Sequence, residues 1–159
     1  MTFRIRDATI ADAPLVTEFN ARLATESEGK QLQRGRLEPG VRAILGDPAG
    51  RGRYFLACEA EAILGQLSIT YEWSDWRNGW FWWFQSVYVA PDARQRGVFS
   101  ALFNHVLALA QTRPDVCGLR LYVDDRNTGA QQVYAARGMQ RAGYHVMELD
   151  FQSPAKGEN

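Results

Sequence analysis

The chain has 159 residues, of which 46% are hydrophobic and 23% are charged, and its 18 Lys and Arg balance its 18 Asp and Glu. These values exclude a largely disordered chain and predict a single domain over residues 1–152 with a frayed tail over residues 153–159. The zero net charge argues against a general nucleic-acid binder. Without a long apolar run or a secretory signal, the chain is expected to be cytoplasmic and not to enter a membrane. Two isolated cysteines and two histidines indicate neither a disulfide framework nor a metal site.

The first part of the chain predicts one strand and two helices. Residues 3–6 alternate apolar and basic side chains, which is typical of a half-buried strand. A helix with an apolar stripe is expected next, and Thr9 or Asp12 is its candidate cap. Residues 25–40 are polar and contain several glycines, so they predict an irregular segment. Apolar residues at helical spacing then predict a short second helix over residues 41–46.

The middle of the chain predicts three antiparallel strands. Residues 54–59 and 63–71 are apolar runs on either side of a tight turn, which indicates a hairpin. The dipeptide at residues 78–79, Asn-Gly, is a strong turn signal. A third strand is therefore expected over residues 80–89, ending before a proline.

The last part predicts two helices, and a strand is expected after each of them. The helices cover residues 98–112 and 127–137, and the strands cover residues 118–123 and 143–151. The strand before the first of these helices and the strand after it form a strand–helix–strand crossover. The whole order predicts a mixed α/β (α+β) fold, in which helices flank a central mixed, mostly antiparallel sheet.

The loop between the strand at residues 80–89 and the next helix has the features of an anion site. A helix N-terminus presents unpaired backbone N–H groups and the positive end of the helix dipole, and both bind phosphate. Arg94 and Arg96 add positive charge, while Gly97 allows the backbone to approach a ligand closely. Taken alone, this pattern is more typical of a plain strand-to-helix loop with two solvated arginines than of a phosphate site.

A second segment follows the next strand. Asn127 is a good N-cap, and Ala130 and Tyr134 are spaced to share one face of the helix. Gly138 stands where a C-terminal glycine cap is expected. Taken alone, Asn127 is typical of a simple cap and Tyr134 of a core residue.

Together, the two segments resemble the GNAT superfamily of N-acetyltransferases. The family's phosphate loop has Arg or Gln, two residues, Gly, one residue, then Gly or Ala, and Arg94, Gly97 and Phe99 occupy these places. Gln95 and Phe99 depart from the common pattern, and Phe99 is expected to point into the core under the helix. The family's later signature is met by Asn127, Ala130, Tyr134, Gly138 and Met139.

The resemblance implies a GNAT-like acyl-CoA N-acyltransferase fold that uses acetyl-CoA as donor and no metal. It implies direct transfer of acetyl to the primary amine of a small molecule in a ternary complex, with Tyr134 as the acid that protonates the leaving thiolate. The implied donor-binding residues are Val87, Tyr88, Val89, Arg94, Gln95, Arg96, Gly97, Val98, Phe99, Ser100, Asn127, Ala130 and Tyr134.

The general base is less defined. Gln85 stands where some relatives have Glu, and an amide is not a base. The amine therefore arrives neutral, or it loses its proton through water to a carboxylate elsewhere. The candidates are Glu26, Glu28, Glu72 and Asp75, and Glu72 is preferred because it lies among aromatic residues; for each, a solvated surface carboxylate is the alternative.

All five tryptophans fall between residues 73 and 83. Trp82 and Trp83 are interpreted as core residues of a strand covered on both faces. Trp73 and Trp76 flank the turn and are expected to be exposed, as the wall of an acceptor pocket or as the contact of a homodimer.

Two other functions remain open on the sequence. One is a non-catalytic acyl-CoA-binding or regulatory module on the same fold, which the Gln85 and Phe99 departures favour. The other is acetylation of a protein or peptide amine, which a more open groove would favour.

Overall fold

The structure, a computed structural model, describes residues 2–152, so the predicted frayed tail lies outside the described residues. It divides into one unit that ends at Tyr122 and a second unit that begins at Val123. The elements of the first unit are β1 (Arg4–Asp7), a 3-10 helix (Ile10–Asp12), α1 (Ala13–Glu28), α2 (Arg34–Leu45), β2 (Gly52–Glu59), β3 (Ala62–Ser74), β4 (Gly79–Val89), a 3-10 helix (Pro91–Ala93), α3 (Val98–Gln111) and β5 (Val116–Leu121). The second unit contains α4 (Thr128–Ala136).

The strands form one sheet in the order β1-β2-β3-β4-β5. The first three pairings are antiparallel, and β4 pairs with β5 in parallel through the crossover helix α3. This arrangement confirms the predicted mixed, mostly antiparallel sheet. No helix within residues 2–152 has the length and apolar character that a membrane crossing requires.

Helices cover both faces of the sheet because β2 contains a continuous apolar run, whose side chains present apolar surface to both faces. Leu56 is fully buried and belongs to a cluster with Val16 of α1 and Val41 of α2. The neighbouring Phe55 contacts His105 of α3, with ring centroids 5.4 Å apart. Adjacent strand residues point to opposite faces, so α1 and α2 lie on one side of β2 and α3 lies on the other.

The prediction of an irregular segment over residues 25–40 is wrong. α1 continues to Glu28 and ends at Gly29, whose left-handed φ of 63° is the usual glycine cap. α2 then begins at Arg34, whereas the prediction began at residue 41. Leu37 and Leu45 of this helix pack against the cluster around Leu56. This tertiary packing outweighs the low helix propensity of the glycines and of the proline within α2.

The β3–β4 hairpin is longer than predicted, since β3 runs to Ser74. Trp73 pairs with Trp80 across the two strands, and their rings meet edge to face at 5.0 Å. Trp82 is buried, as predicted. The prediction that Trp83 is also core is wrong: it is only half-buried, and its ring stacks on Tyr122 at 4.5 Å.

In the second unit, the predicted helix and both of its caps are confirmed. The Asn127 side chain accepts a hydrogen bond from the Ala130 N–H at 3.0 Å, and Gly138 has a left-handed φ of 88°. The predicted strand over residues 143–151 is absent, since none of these residues is in a ladder. A strand needs a partner edge, and an alternating side-chain pattern alone does not supply one.

Candidate functional site

Strand β4 extends beyond its pairing with β5. Its pairing with β5 stops at Phe84 and Leu121, whereas its pairing with β3 continues to Val89. Residues 85–89 therefore present one edge without a strand partner among the described residues. Such an edge accepts an extended amide chain as an additional strand.

A β-bulge lies at the start of this free edge. The β3–β4 register shifts between Gln66 and Ser68, and Ser86 opposite them has a left-handed φ of 40°. The Gln66 side-chain N–H₂ donates to the Ser86 carbonyl at 3.1 Å. The buried Gln66 Oε1 and Ser68 Oγ have no hydrogen-bond partner among the described residues. Strained backbone and orphaned polar atoms cluster at functional sites, and no sequence motif pointed to these two β3 residues.

The end of β4 also orients a backbone donor. The Ala90 N–H donates to the Leu64 carbonyl of β3 at 2.8 Å. Successive N–H groups of a strand alternate between its two edges, so the Val89 N–H points to the free edge.

The loop after β4 adopts two left-handed conformations before α3 begins. Gln95 has φ of 62° and Gly97 has φ of 86°. A Cβ on Gly97 would meet no atom within 4 Å, so the glycine is required by backbone conformation and not by space. Alternating backbone conformations at a helix N-terminus form an anion-binding concavity, and this geometry fits a diphosphate.

The prediction that Phe99 points into the core is wrong. Val98 is the buried residue of this turn, at 1% exposure. Phe99 is half-buried, contacts Phe103 with ring centroids 5.9 Å apart, and lines the surface cleft described below.

Three side chains link α1 to the end of β4. The Tyr88 hydroxyl donates to Glu26 Oε2 at 2.5 Å, and the Arg94 guanidinium donates to Glu26 Oε1 at 2.7 Å. The Arg94 Nε also donates to the Val89 carbonyl at 3.0 Å. The carboxylate, the phenol and the guanidinium therefore form one hydrogen-bonded group beside the free edge of β4.

This linkage sets the protonation of both acids. The hydrogen bond from Tyr88 and then that from Arg94 lower the pKa of Glu26 below its ordinary value. Burial, followed by the hydrogen bond to Glu26, raises the pKa of Tyr88. At neutral pH, Glu26 is thus a carboxylate and Tyr88 a neutral phenol, so the site offers one negative charge beside one arginine.

These groups border a cleft of about 330 Å³. Its lining combines the end of α1, the end of β4 and the start of α3: Leu23, Glu26, Ser27, Val87, Tyr88, Val89, Arg94 and Phe99. The structure thus brings Glu26 together with five of the predicted donor-binding residues. Leu23 and Ser27 were missed, although their i, i+3 and i+4 spacing with Glu26 would have indicated a shared face once α1 was extended.

Other predicted acceptor residues lie outside this cleft. Glu28 pairs with Lys30 at 3.2 Å, and Glu72 accepts from Arg120 at 2.8 Å. Gln85 donates to the Thr70 hydroxyl at 3.4 Å, one residue before the bulge.

The exposed Trp73 and Trp76 lie at the hairpin tip, beside the start of β4. At ~3.4 Å per residue, roughly 30 Å of strand separates the Trp80 end of β4 from Val89.

The predicted donor-binding residue Arg96 forms an ion pair with Glu59 at 2.7 Å.

Another cleft, of about 310 Å³, lies between α2 and β2. Its charged residues Arg53 and Asp7 bind each other at 2.8 Å, and it contains none of the predicted site residues. Among residues 2–152, no group of His, Cys, Asp or Glu is arranged to hold a metal.

Tyr134 belongs to the second unit, on α4 four residues after Ala130. It is half-buried, and burial raises the pKa of its hydroxyl. Tyr134 therefore keeps its proton at neutral pH, which a proton donor requires.

Comparison with known proteins identifies the family of the chain. The chain matches the model of the acetyltransferase (GNAT) family over residues 18–139. It is similar to the crystal structure of a possible acetyltransferase from Clostridium difficile 630, with 37% identity, a TM-score of 0.88, and coverage of 94% of this chain and 98% of that chain. A comparison with curated proteins finds no match.

Two more distant structures share the fold. One is a "predicted acetyltransferase with acetyl-CoA" from Clostridium acetobutylicum, with 18% identity, a TM-score of 0.75, and coverage of 94% of this chain and 96% of that chain. The other is a ribosomal-protein-alanine N-acetyltransferase from Brucella melitensis biovar Abortus 2308, with 16% identity, a TM-score of 0.73, and coverage of 94% and 99%. The family match and the 37% identical structure confirm the resemblance carried by the two sequence segments, and the chain belongs to the GNAT family of acetyltransferases.

Proposed function

We infer that the protein transfers an acetyl group from acetyl-CoA directly to the primary amine of a small molecule, within a ternary complex. The observation that carries this proposal is the cleft where a free strand edge, a helix N-terminus and the Glu26 carboxylate meet.

The donor side uses backbone groups. The loop from Gln95 to Ser100, with its two left-handed residues, would hold the diphosphate of the donor. The free edge of β4 at residues 87–89 would bind the amide chain that leads to the thioester. When bound, acetyl-CoA supplies an activated acyl group. The Val89 N–H is available to stabilise negative charge on the reacting carbonyl oxygen.

The acceptor side uses Glu26. Its lowered pKa keeps it negatively charged at neutral pH, and this charge attracts an ammonium group. Arg94, which now holds Glu26, also stands next to the proposed diphosphate site. A diphosphate would compete for Arg94, release one oxygen of Glu26 and strengthen it as a ligand for the amine.

The reaction needs two proton transfers, one from the attacking amine and one to the departing sulfur. Gln85 is not a base, and the lowered pKa of Glu26 makes it a weak one. The amine's proton therefore passes to water, or to Glu26 once Arg94 has left it. Tyr134 donates its proton to the departing sulfur in this proposal, and its raised pKa keeps that proton available.

The direct test is free-thiol release from acetyl-CoA across a library of small amines, with peptides bearing free N-termini and lysines as a second set. We expect release with a subset of small amines, in equal amount to the acetylated product. CoA binding without release from any acceptor would favour the non-catalytic module, and release only with peptides would favour protein acetylation.

We also infer that the protein acts in the cytoplasm. Cys58 and Cys117 are free thiols, which agrees with a reducing compartment.

A further inference from the structure

Strand β4 reverses the direction of its side chains at the bulge. Before the bulge, Phe84 contacts Phe103 of α3, with ring centroids 5.4 Å apart. In a regular strand Tyr88, four residues later, would point to the same face of the sheet as Phe84. Instead, the Tyr88 ring contacts Phe19 of α1, with ring centroids 5.2 Å apart. The extra residue of the bulge therefore turns Tyr88 from the face covered by α3 to the face covered by α1.

This reversal assembles the group of side chains at the candidate site. The Tyr88 hydroxyl donates to Glu26 from the face covered by α1, and Glu26 in turn accepts from Arg94 at 2.7 Å. A strand without the extra residue would place Tyr88 on the opposite face of the sheet, away from α1. The bulge is therefore a condition for the contact between Tyr88 and Glu26.

A side chain of the neighbouring strand binds the bulge. Between Gln66 and Ser68, β3 advances by two residues, while β4 advances by three between Gln85 and Tyr88. Ser86 takes up the difference with a left-handed φ of 40°. This conformation costs a residue with a side chain about as much as one hydrogen bond contributes. The Gln66 amide donates to the Ser86 carbonyl at 3.1 Å and offsets that cost.

Gln66 is also an expensive residue to bury. Its side chain is fully buried, and its Oε1 has no hydrogen-bond partner within residues 2–152. An apolar side chain of the same size would avoid the cost of this unpaired oxygen. Stability alone therefore does not account for an amide at this position, whereas the contact of its N–H₂ group with the Ser86 carbonyl does.

We propose that Gln66 is a positioning residue for acetyl transfer: its amide keeps Ser86 in the left-handed conformation that turns Tyr88 toward α1. This inference rests on the proposed function. The same contact orients the free edge of β4, because the carbonyl and the N–H of a trans peptide bond point in opposite directions. A Ser86 carbonyl that points to Gln66 directs the Val87 N–H to the free edge, on the same side as the Val89 N–H. Gln66 thus acts on both the acceptor side and the donor side of the site.

The test is a double-variant cycle of Gln66 and Ser86, with CoA affinity measured by calorimetry. Gln66→Met keeps the length of the side chain and removes the amide, so we expect CoA affinity to fall about fivefold, the loss that corresponds to one hydrogen bond. Glycine adopts the left-handed conformation without strain. On the Ser86→Gly background, Gln66→Met should therefore change CoA affinity by less than about twofold. The same loss on both backgrounds, or no loss on either, would overturn the proposal.

Thr17→Val is the matched control. The Thr17 hydroxyl on α1 is buried and has no hydrogen-bond partner among the described residues, so both variants remove an unpaired polar atom from the interior. Urea unfolding should show no loss of stability in Thr17→Val or in Gln66→Met, where the lost hydrogen bond is offset by removal of the unpaired Oε1. A fall in CoA affinity in Thr17→Val equal to that in Gln66→Met would assign the effect to general packing. If Gln66→Met does not fold, Gln66→Leu provides the same comparison with a branched side chain.

The kinetics separate this inference from the proposed function. In Gln66→Met, kcat/KM for the preferred amine should fall together with CoA affinity, and adding Ser86→Gly should restore both. A wild type that binds CoA and acetylates no amine would refute the proposed function, while the cycle in CoA affinity still decides the role of Gln66. A wild type that acetylates an amine without coupling between Gln66 and Ser86 would refute the positioning role alone. A wild type that does not bind CoA would refute both.

Discussion

Replacing Glu26 with Gln changes the donor and acceptor sides of the site in opposite directions. The substitution keeps the shape of the side chain and an oxygen for the Tyr88 hydroxyl, but it removes the charge that holds Arg94. Arg94 is then available to a diphosphate without competition, whereas an ammonium loses its anion. We therefore expect tighter binding of CoA and weaker use of the amine in the same variant.

The structure limits the size of both effects. The side chains of Arg94 and Glu26 are 46% and 39% exposed, and exposed ion pairs are weak. CoA affinity should therefore rise only about two- to fivefold. A charge-assisted hydrogen bond to the substrate is stronger, so kcat/KM for the amine should fall ~10- to 100-fold.

The assay combines calorimetry with CoA and steady-state kinetics with the preferred amine. Glu28→Gln is the matched control, since it makes the same charge change at the end of α1 and its partner is Lys30 at 3.2 Å. Adding Arg94→Ala should abolish the gain in CoA affinity. Weaker CoA binding in Glu26→Gln, or equal effects of the two glutamine variants, would refute the reasoning.

Four further predictions follow from the described contacts. Gly97→Ala should lower CoA affinity about tenfold by calorimetry, since a left-handed φ of 86° costs an alanine about 1–2 kcal/mol and the phosphate-binding N–H groups would shift. Tyr134→Phe should lower kcat ~10²- to 10⁴-fold with little change in acetyl-CoA affinity; equal kinetics would leave Tyr134 as a packing residue. Asp12→Asn should lower the free energy of unfolding by about 1–3 kcal/mol, because Asp12 loses its ion pair with Arg6 at 2.8 Å. That pair lowers the pKa of Asp12, so the stabilisation is present above the ordinary Asp pKa and is lost as pH falls through the lowered one; urea unfolding at neutral and acidic pH measures it. Glu72→Gln with Trp73→Ala should leave the amine KM unchanged, because neither residue lines the cleft, and a raised KM would assign the acceptor to the hairpin instead.

The donor half of the site could be predicted from the sequence because it is local. A strand end, a loop and a helix N-terminus occupy consecutive residues from Val87 to Ser100, so their order can be read from the sequence, and together with the segment around Asn127 they carry the family resemblance. The helix around Asn127 is local in the same sense, and its caps were predicted correctly. The bulge at Ser86 was missed because its cause is a register shift against β3, which spacing within β4 does not reveal.

The acceptor half depends on contacts between distant residues. Glu26 meets Tyr88 and Arg94 across 62 and 68 positions of the chain. Ending α1 too early removed the helical face on which Glu26 lies, and Glu72 was then preferred among the four carboxylates. The polar composition of residues 25–40 hid two helical segments that packing against β2 stabilises. Local propensity is therefore least informative in the segment that carries Glu26.

The β3–β4 hairpin and residues 143–151 show what a side-chain pattern leaves undetermined. A side-chain period of two residues indicates which residues share a face of a strand. It does not indicate which edge of the sheet the strand joins. In β3 and β4 the partner is the next strand in the chain, and the pattern became a hairpin. In residues 143–151 the same type of pattern has no adjacent strand to turn back on. The edge that such a segment joins is set by contacts between residues distant in the chain, and a side-chain period does not encode those contacts.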